Sequence, residues 1–324
     1  MSQSTRALGG RRVLTVGLHV ADVLGRYVDA IPAGQGLALL DEIRLTVAGT
    51  AAATAVDLAR LGVPVATVGA VGDDALGVFL RSTMAAEGVD VDALAVRSAH
   101  PTSATMLPIR RDGSRPALHV IGSNAAIRAD DLAAVDLDDV AVLHLGGTCL
   151  LPGIDGAPSV ELLRRARAAG VVTTMDFIPT GAHADRDAVL PCLPFVDYLF
   201  PSEEDALSFA GAATLDEAIA FYLDAGVTTV VITRGAAGVS ISTRERRDMR
   251  LAAYAVDVVD TTGCGDAFSA GFIWGLVDGT DIVEAAERGL ACGSLVATGL
   301  GSDAGLHGAA DVARLRAEGV RGAV

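Results

Sequence analysis

The chain has 324 residues, 51% of them hydrophobic, and a formal net charge of −15. That length and apolar content suit one large or two ordinary α/β domains with a substantial core, and the acidic balance argues against nucleic acid as a partner. All 25 basic residues are arginine, which disfavours the P-loop, the protein-kinase fold, Schiff-base aldolases and pyridoxal-phosphate enzymes, each of which needs a lysine amine.

Met1 to Arg12 is polar and basic and lacks the apolar stretch of a signal peptide; it reads as an N-terminal tail (1–12). Val13–Gly17 predicts a strand, Ala51–Leu61 a helix, Val65–Val71 a strand and Ala75–Glu87 a helix. Val140–Leu145 and Val171–Phe177 are strand-like around a helical Ser159–Ala169. Tyr198–Phe200 predicts a short strand before helices at Glu203–Ala210 and Leu215–Ala225, and Val227–Thr233 predicts another strand. Tyr254–Val259 is also strand-like, and helices are expected at Glu284–Leu300 and Ala309–Glu318. Such alternation implies a mostly parallel sheet with helices on both faces.

Two segments interrupt the alternation. Gly25–Val47 contains the apolar runs Leu37–Leu40 and Ile43–Val47, and Ser103–Ile121 holds two runs around the turn signal Arg111-Asp112-Gly113-Ser114. Neither has helix period. They predict antiparallel strands of a small appended sheet, a lid, inserted at about 20–47 and 100–121 of a single domain over 13–324. No run is long enough to cross a bilayer, so no membrane is expected. Cys149, Cys192, Cys264 and Cys292 are scattered without C-x-x-C spacing, which predicts reduced thiols and a cytoplasmic protein.

The chemistry concentrates in Asp260-Thr261-Thr262-Gly263-Cys264-Gly265-Asp266, which runs into an apolar helical pattern through Ile273, Trp274 and Leu276. First-turn N–H groups lack intrahelical partners, and the helix dipole adds about half a positive charge there. The two glycines let an anion approach the backbone. A carboxylate beside an anion site points to phosphoryl transfer, with Asp266 taking the proton of an attacking hydroxyl. Phe268 at the third glycine position excludes the dinucleotide fingerprint.

This string resembles the C-terminal signature of the ribokinase-like, or PfkB, family of carbohydrate kinases. Val68-Gly69-Ala70-Val71-Gly72-Asp73-Asp74-Ala75-Leu76-Gly77 resembles its N-terminal signature, and Val230 to Gly238 its nucleotide-side strand and loop. The resemblance runs from about Val13 to about Gly305. It implies a doubly wound, mostly parallel sheet with helices on both faces and a small β-sheet lid. It also implies transfer of the ATP γ-phosphate to a hydroxyl of a sugar or related polyol, with ATP and Mg2+ required.

By the same resemblance Asp266 is the general base, and the N–H groups of Gly263, Cys264 and Gly265 form an anion hole. Asp22 and Gly49 belong to the acceptor site, where a carboxylate accepts two hydroxyl protons. Thr233, Gly235 and Gly238 cradle ATP. Glu203, Glu204 and Asp205 stand where family acids face magnesium through water, although acids at a helix start also serve as caps. Asp260 matches an aspartate that in some members helps bind a monovalent cation, which adds potassium to the expected cofactors. A homodimer through the lid is expected, since exposed strands commonly need covering.

The chain departs from the family at several positions. Ala53 stands where the substrate loop has Asn, and Val20 where ribokinases have a polar residue, so the pocket is less polar than a ribose site. Ser202-Glu203-Glu204-Asp205 replaces Asn-x-x-Glu, Cys264 replaces a small residue and presents an oxidisable thiol, and Leu300–Gly305 lacks the full cation pattern. His144 reads as a core or pocket residue. His19 and His119 read as polar contacts at the pocket edge, and Arg110, Arg111 and Arg115 as a solvated turn with an alternative role on a substrate anion. A nucleoside kinase of the same family and a non-catalytic sugar-binding relative remain as alternatives, the second motivated by Ala53 and Ser202.

Overall fold

The computed structural model describes residues 11–111, 114–182 and 184–322. Most of the expected N-terminal tail, and Asp112 and Gly113 of the lid turn, lie outside the described residues. In chain order the elements are β1 (Arg12–Gly17), β2 (Val20–Arg26), β3 (Glu42–Ala48), α1 (Thr50–Arg60), β4 (Val65–Val71), α2 (Ala75–Ala86), β5 (Leu94–Val96), β6 (Ala104–Ile109), β7 (Leu118–Val120), α3 (Ala129–Ala133), β8 (Val140–Thr148), α4 (Ala157–Ala168), β9 (Val172–Phe177), α5 (Ala184–Val189), β10 (Tyr198–Leu199), α6 (Glu203–Ala210), α7 (Leu215–Asp224), β11 (Thr229–Thr233), β12 (Val239–Thr243), β13 (Met249–Leu251), α8 (Cys264–Val277), α9 (Ile282–Val296) and α10 (Ala309–Glu318).

Nine strands form one sheet in the order β13-β12-β11-β10-β9-β8-β1-β4-β5. Pairing is parallel from β5 through β11 and antiparallel only at β11-β12-β13. Strand residues alternate between two apolar layers. On β11, Val231 packs with α1, α8 and α9, whereas Val230 and Ile232 pack with α4, α6 and α7. Helices on both faces bury both, as a parallel sheet requires. The connections reverse direction at β1, between β4 and β8, and doubly wound sheets open a crevice at such a reversal.

A second, smaller sheet has the order β3-β2-β6-β7, and β1 leads directly into its strand β2. Its register places Thr46, Asp22, Thr105 and His119 side by side in one row. The next row holds Leu45, Val23, Met106 and Leu118. Because successive residues face opposite ways, Thr46, Asp22 and Thr105 of the polar row are buried, with His119 exposed at the edge strand, and the apolar row looks outward. Leu45, Met106 and Leu118 are 39%, 57% and 55% exposed.

Three expectations are corrected. Leu37–Leu40 is a loop with Leu37 and Leu39 almost fully exposed, and the partner of β3 is Val20–Arg26. The lid is not wholly antiparallel, because β2 and β6 run parallel. Tyr254–Val259 is no strand; Tyr254 makes a single bridge to Arg321, and Val256 and Val258 line a cavity instead of pairing. Among the described residues, no single helix is long and apolar enough to cross a membrane, and all four cysteines are free thiols.

Candidate active site

Helix α8 begins at Gly263, whose φ of 79° lies in the left-handed region. A Cβ there would collide with Ser302, so glycine is needed both for the backbone angle and for the close approach. No side chain caps α8. The Cys264 N–H makes only a long contact to the Thr261 carbonyl, at 3.4 Å. The N–H groups of the first turn therefore remain available to an outside anion. Gly265 has open space where a side chain would stand.

Asp266 lies in this first turn. Burial raises its carboxyl to about 7, the charge of Asp22 adds to the rise, and Arg115 opposes it. Asp22, on the inner row of the lid, is raised to about 6 by burial; a Thr105 hydrogen bond and Arg115 oppose that, and Asp260 adds to it. Arg115 belongs to the β6–β7 connection, and its Nε donates to Thr261 Oγ1 at 3.1 Å. Thr54 on α1 donates to the Asp266 carbonyl at 3.3 Å, which sets the first turns of α1 and α8 side by side. Gly49 caps α1 with φ 90°, and Ala53 is buried in the first turn of that helix.

Asp260 is buried and held by three protein donors. Its Oδ1 accepts from the N–H and hydroxyl of Thr262 at 3.1 and 2.9 Å, and its Oδ2 accepts from the Gly301 N–H at 3.0 Å. The loop that follows Leu300 is tied to the lid strand β3. Arg44 donates to the Leu300 carbonyl at 2.7 Å and pairs with Asp303 at 3.0 Å, and Ser302 donates to the Val47 carbonyl at 2.6 Å.

Next to Cys264 and Gly265 lies a cavity of about 630 Å³, within the range of small-molecule sites. Thr233, Gly235 and Gly238 also line it, and Val256, Phe268 and Leu290 supply apolar wall. A neighbouring hollow of about 540 Å³ shares Thr233 and Gly235 and is walled by Ser202, Glu203, Glu204 and Arg234.

A comparison of the chain with known protein families matches residues 11–307 to the pfkB family carbohydrate kinase description. The chain belongs to the pfkB family of carbohydrate kinases. This pfkB kinase is 33% identical over 289 residues to an ATP-dependent ribose-1-phosphate kinase of Halopiger xanaduensis, covering 88% of this chain and 92% of that one. Among solved structures it matches an Arabidopsis thaliana ribokinase complexed with ribose and ATP, with TM-score 0.79 and 22% identity. It also matches a putative ribokinase II of E. coli in complex with ATP and Mg+2, with TM-score 0.80 and 24% identity. Each covers 94% of this chain and 98% of the other. Those two similarities establish the ribokinase-like fold.

Three further acidic residues of this pfkB kinase each have a protein partner. Glu203 is paired with Arg234 at 3.3 Å. Asp205 accepts the Ser202 hydroxyl at 2.6 Å, and burial raises its carboxyl. The sequence reading missed Asp176, at the C-terminal end of β9. Its Oδ1 accepts the Gly147 N–H at 2.6 Å; burial raises the carboxyl well above the usual range, and the charges of Asp266 and Asp205 add to that. Its signal was a carboxylate closing an otherwise uncharged buried strand.

His19 and Cys264 differ from expectation, whereas His144 is buried as expected. His19 is fully buried; its Nδ1 contacts the Gly17 carbonyl and its Nε2 contacts Thr67 Oγ1. It is a core residue and meets no pocket edge. His144 is also buried, against Thr174. Burial and nearby carboxylates push the Cys264 thiol up to about 12, so little of the reactive thiolate exists near neutral pH. Arg110 contacts Ser114, and Arg111 pairs with Asp29 at the surface. Arg115 alone of the three reaches the site.

Proposed function

We propose that the chain transfers the γ-phosphoryl group of ATP to a hydroxyl of a sugar or related polyol. The observation that carries this is Asp266, a carboxylate of raised proton affinity in the uncapped first turn of α8, facing Asp22. Asp22 accepts the acceptor's hydroxyl protons. Asp266 takes the proton of the attacking hydroxyl; that oxygen bonds to the γ-phosphorus as the β–γ bridging bond breaks and ADP leaves. The N–H groups of Gly263, Cys264 and Gly265 stabilise the charge in transit. Thr233, Gly235 and Gly238 line the nucleotide side.

The donors fit magnesium held chiefly by phosphate and water. Among the described residues no three His, Cys, Asp or Glu converge on one point, and hard carboxylates suit a hard cation. Asp176 and Asp205 would stand behind it, with Glu203 tied to Arg234. When bound, magnesium supplies charge neutralisation across the phosphates. The residues do not fit a monovalent cation: Asp260 is taken by three protein donors, and Arg44 occupies the Leu300 carbonyl. Turnover is proposed to need none.

The exposed outer row of the lid supports a homodimer through that face, and the two inserted lid segments support a single kinase domain over 13–324. ADP release from ATP and magnesium, measured with sugars, sugar phosphates, polyols and nucleosides, tests the reaction. No release with any of them would leave only a binding role.

A further inference from the structure

Asp22, Asp266 and Asp260 make the acceptor side of the site acidic in a chain that already carries −15. Arg115 is the cation whose field acts on both Asp22 and Asp266. Its anchoring is light. The Nε bond to Thr261 is its recorded hydrogen bond, and among the described residues no Asp or Glu lies within ion-pair distance of it. Arg115 is exposed, and neither terminal amino group of its guanidinium has a recorded protein acceptor among the described residues. Arg111, four positions earlier on the same turn, is instead satisfied by Asp29.

We propose that Arg115 binds a phosphate monoester carried by the acceptor, so that the preferred substrate is a phosphorylated sugar. This rests on the sugar-kinase reading above. A planar guanidinium with two free amino groups matches two oxygens of a phosphate at once. A neutral sugar would leave that fork unused beside Asp22. The transferred phosphoryl group has its own donors in the uncapped first turn of α8. The dianion also offsets the cation that Arg115 adds, and Arg115 offsets the repulsion between the ester and Asp22.

The test compares ribose and fructose with ribose 1-phosphate, ribose 5-phosphate and fructose 6-phosphate, and with gluconate as a carboxylate-bearing control. Wild type, Arg115→Met and Arg115→Lys are each assayed for ADP release, and acceptor binding is measured by calorimetry without nucleotide. The wild type is expected to prefer a phosphate ester by on the order of 10²-fold in kcat/KM. Arg115→Met should raise KM for that ester far more than for a neutral sugar, and should move the pH limb upward with both acceptors because Asp266 loses an opposing cation; Arg115→Lys should restore part of each effect. A neutral sugar as the best acceptor, or gluconate above every ester, overturns the proposal. So does an equal fall in kcat with all acceptors, because Arg115 would then act on the transferred group. Calorimetry separates the two readings. Ester binding that Arg115→Met abolishes, without ADP release, upholds this site and defeats the reaction; ester binding no tighter than that of the parent sugar defeats this site whatever the turnover.

Discussion

Asp22 on the lid sheet raises the proton affinity of Asp266 on helix α8. The two carboxylates are thus coupled between the second sheet and the first turn of α8.

Asp266→Asn should fold and lose about 10²–10⁴ in turnover, the usual range for a general base. It should also change stability with a defined sign. The folded carboxyl titrates near 7 and the unfolded one near about 4. Between those values the folded chain holds more protons, so wild-type stability falls as pH rises. The variant lacks this loss, and thermal unfolding should find it more stable than wild type at pH 8, with the advantage gone near pH 4.

The pH–rate profile should rise through about 7 in kcat/KM, because the base must be ionised. Asp22→Asn removes a neighbouring negative charge and should move that limb to lower pH while weakening acceptor binding. An unmoved limb would separate the two carboxylates.

Gly263→Ala puts a side chain at φ 79° against Ser302. Backbone strain alone costs on the order of 1–3 kcal/mol. Melting temperature and turnover should fall together, and unchanged turnover would argue against the anion hole.

Replacing potassium by tetramethylammonium at constant ionic strength should leave the rate unchanged, since Asp260 and the Leu300 carbonyl already have protein donors. Strong activation by potassium would show that those donors yield to a cation.

Met106→Glu and Leu118→Glu place charge on the outer row of the lid. Light scattering should give a dimer for wild type and a monomer for each variant. A monomeric wild type would defeat the lid interface.

The sequence made the βα alternation readable because buried parallel strands are apolar runs separated by amphipathic helices. It also exposed the α8 motif, where glycine spacing and a carboxylate sit on one turn. Other features depend on what lies across space. Leu37–Leu40 has strand-like composition but no partner, and Val20–Arg26 takes that place by following β1 directly into the lid. Val256 and Val258 have β-branched side chains, yet they face a cavity. The inward turn of Arg115 could not be told from the outward turns of Arg110 and Arg111, because a loop has no period. Asp176 became visible only when the end of β9 was placed beside Asp266 and Asp205.

The alternation of the lid strands makes each row separately adjustable. If the proposed interface and acceptor site hold, substitutions at Leu45, Met106 or Leu118 change how copies meet without touching the acceptor, and changes around Asp22, Thr105 and His119 alter acceptor choice without touching assembly. A single-residue insertion within β2 or β6 has neither freedom. It would exchange the faces, present leucine and methionine to the substrate and turn carboxylate and imidazole toward solvent. Length variation among descendants of this chain should therefore collect in the connection between β2 and β3, where added residues shift no side chain from one face to the other.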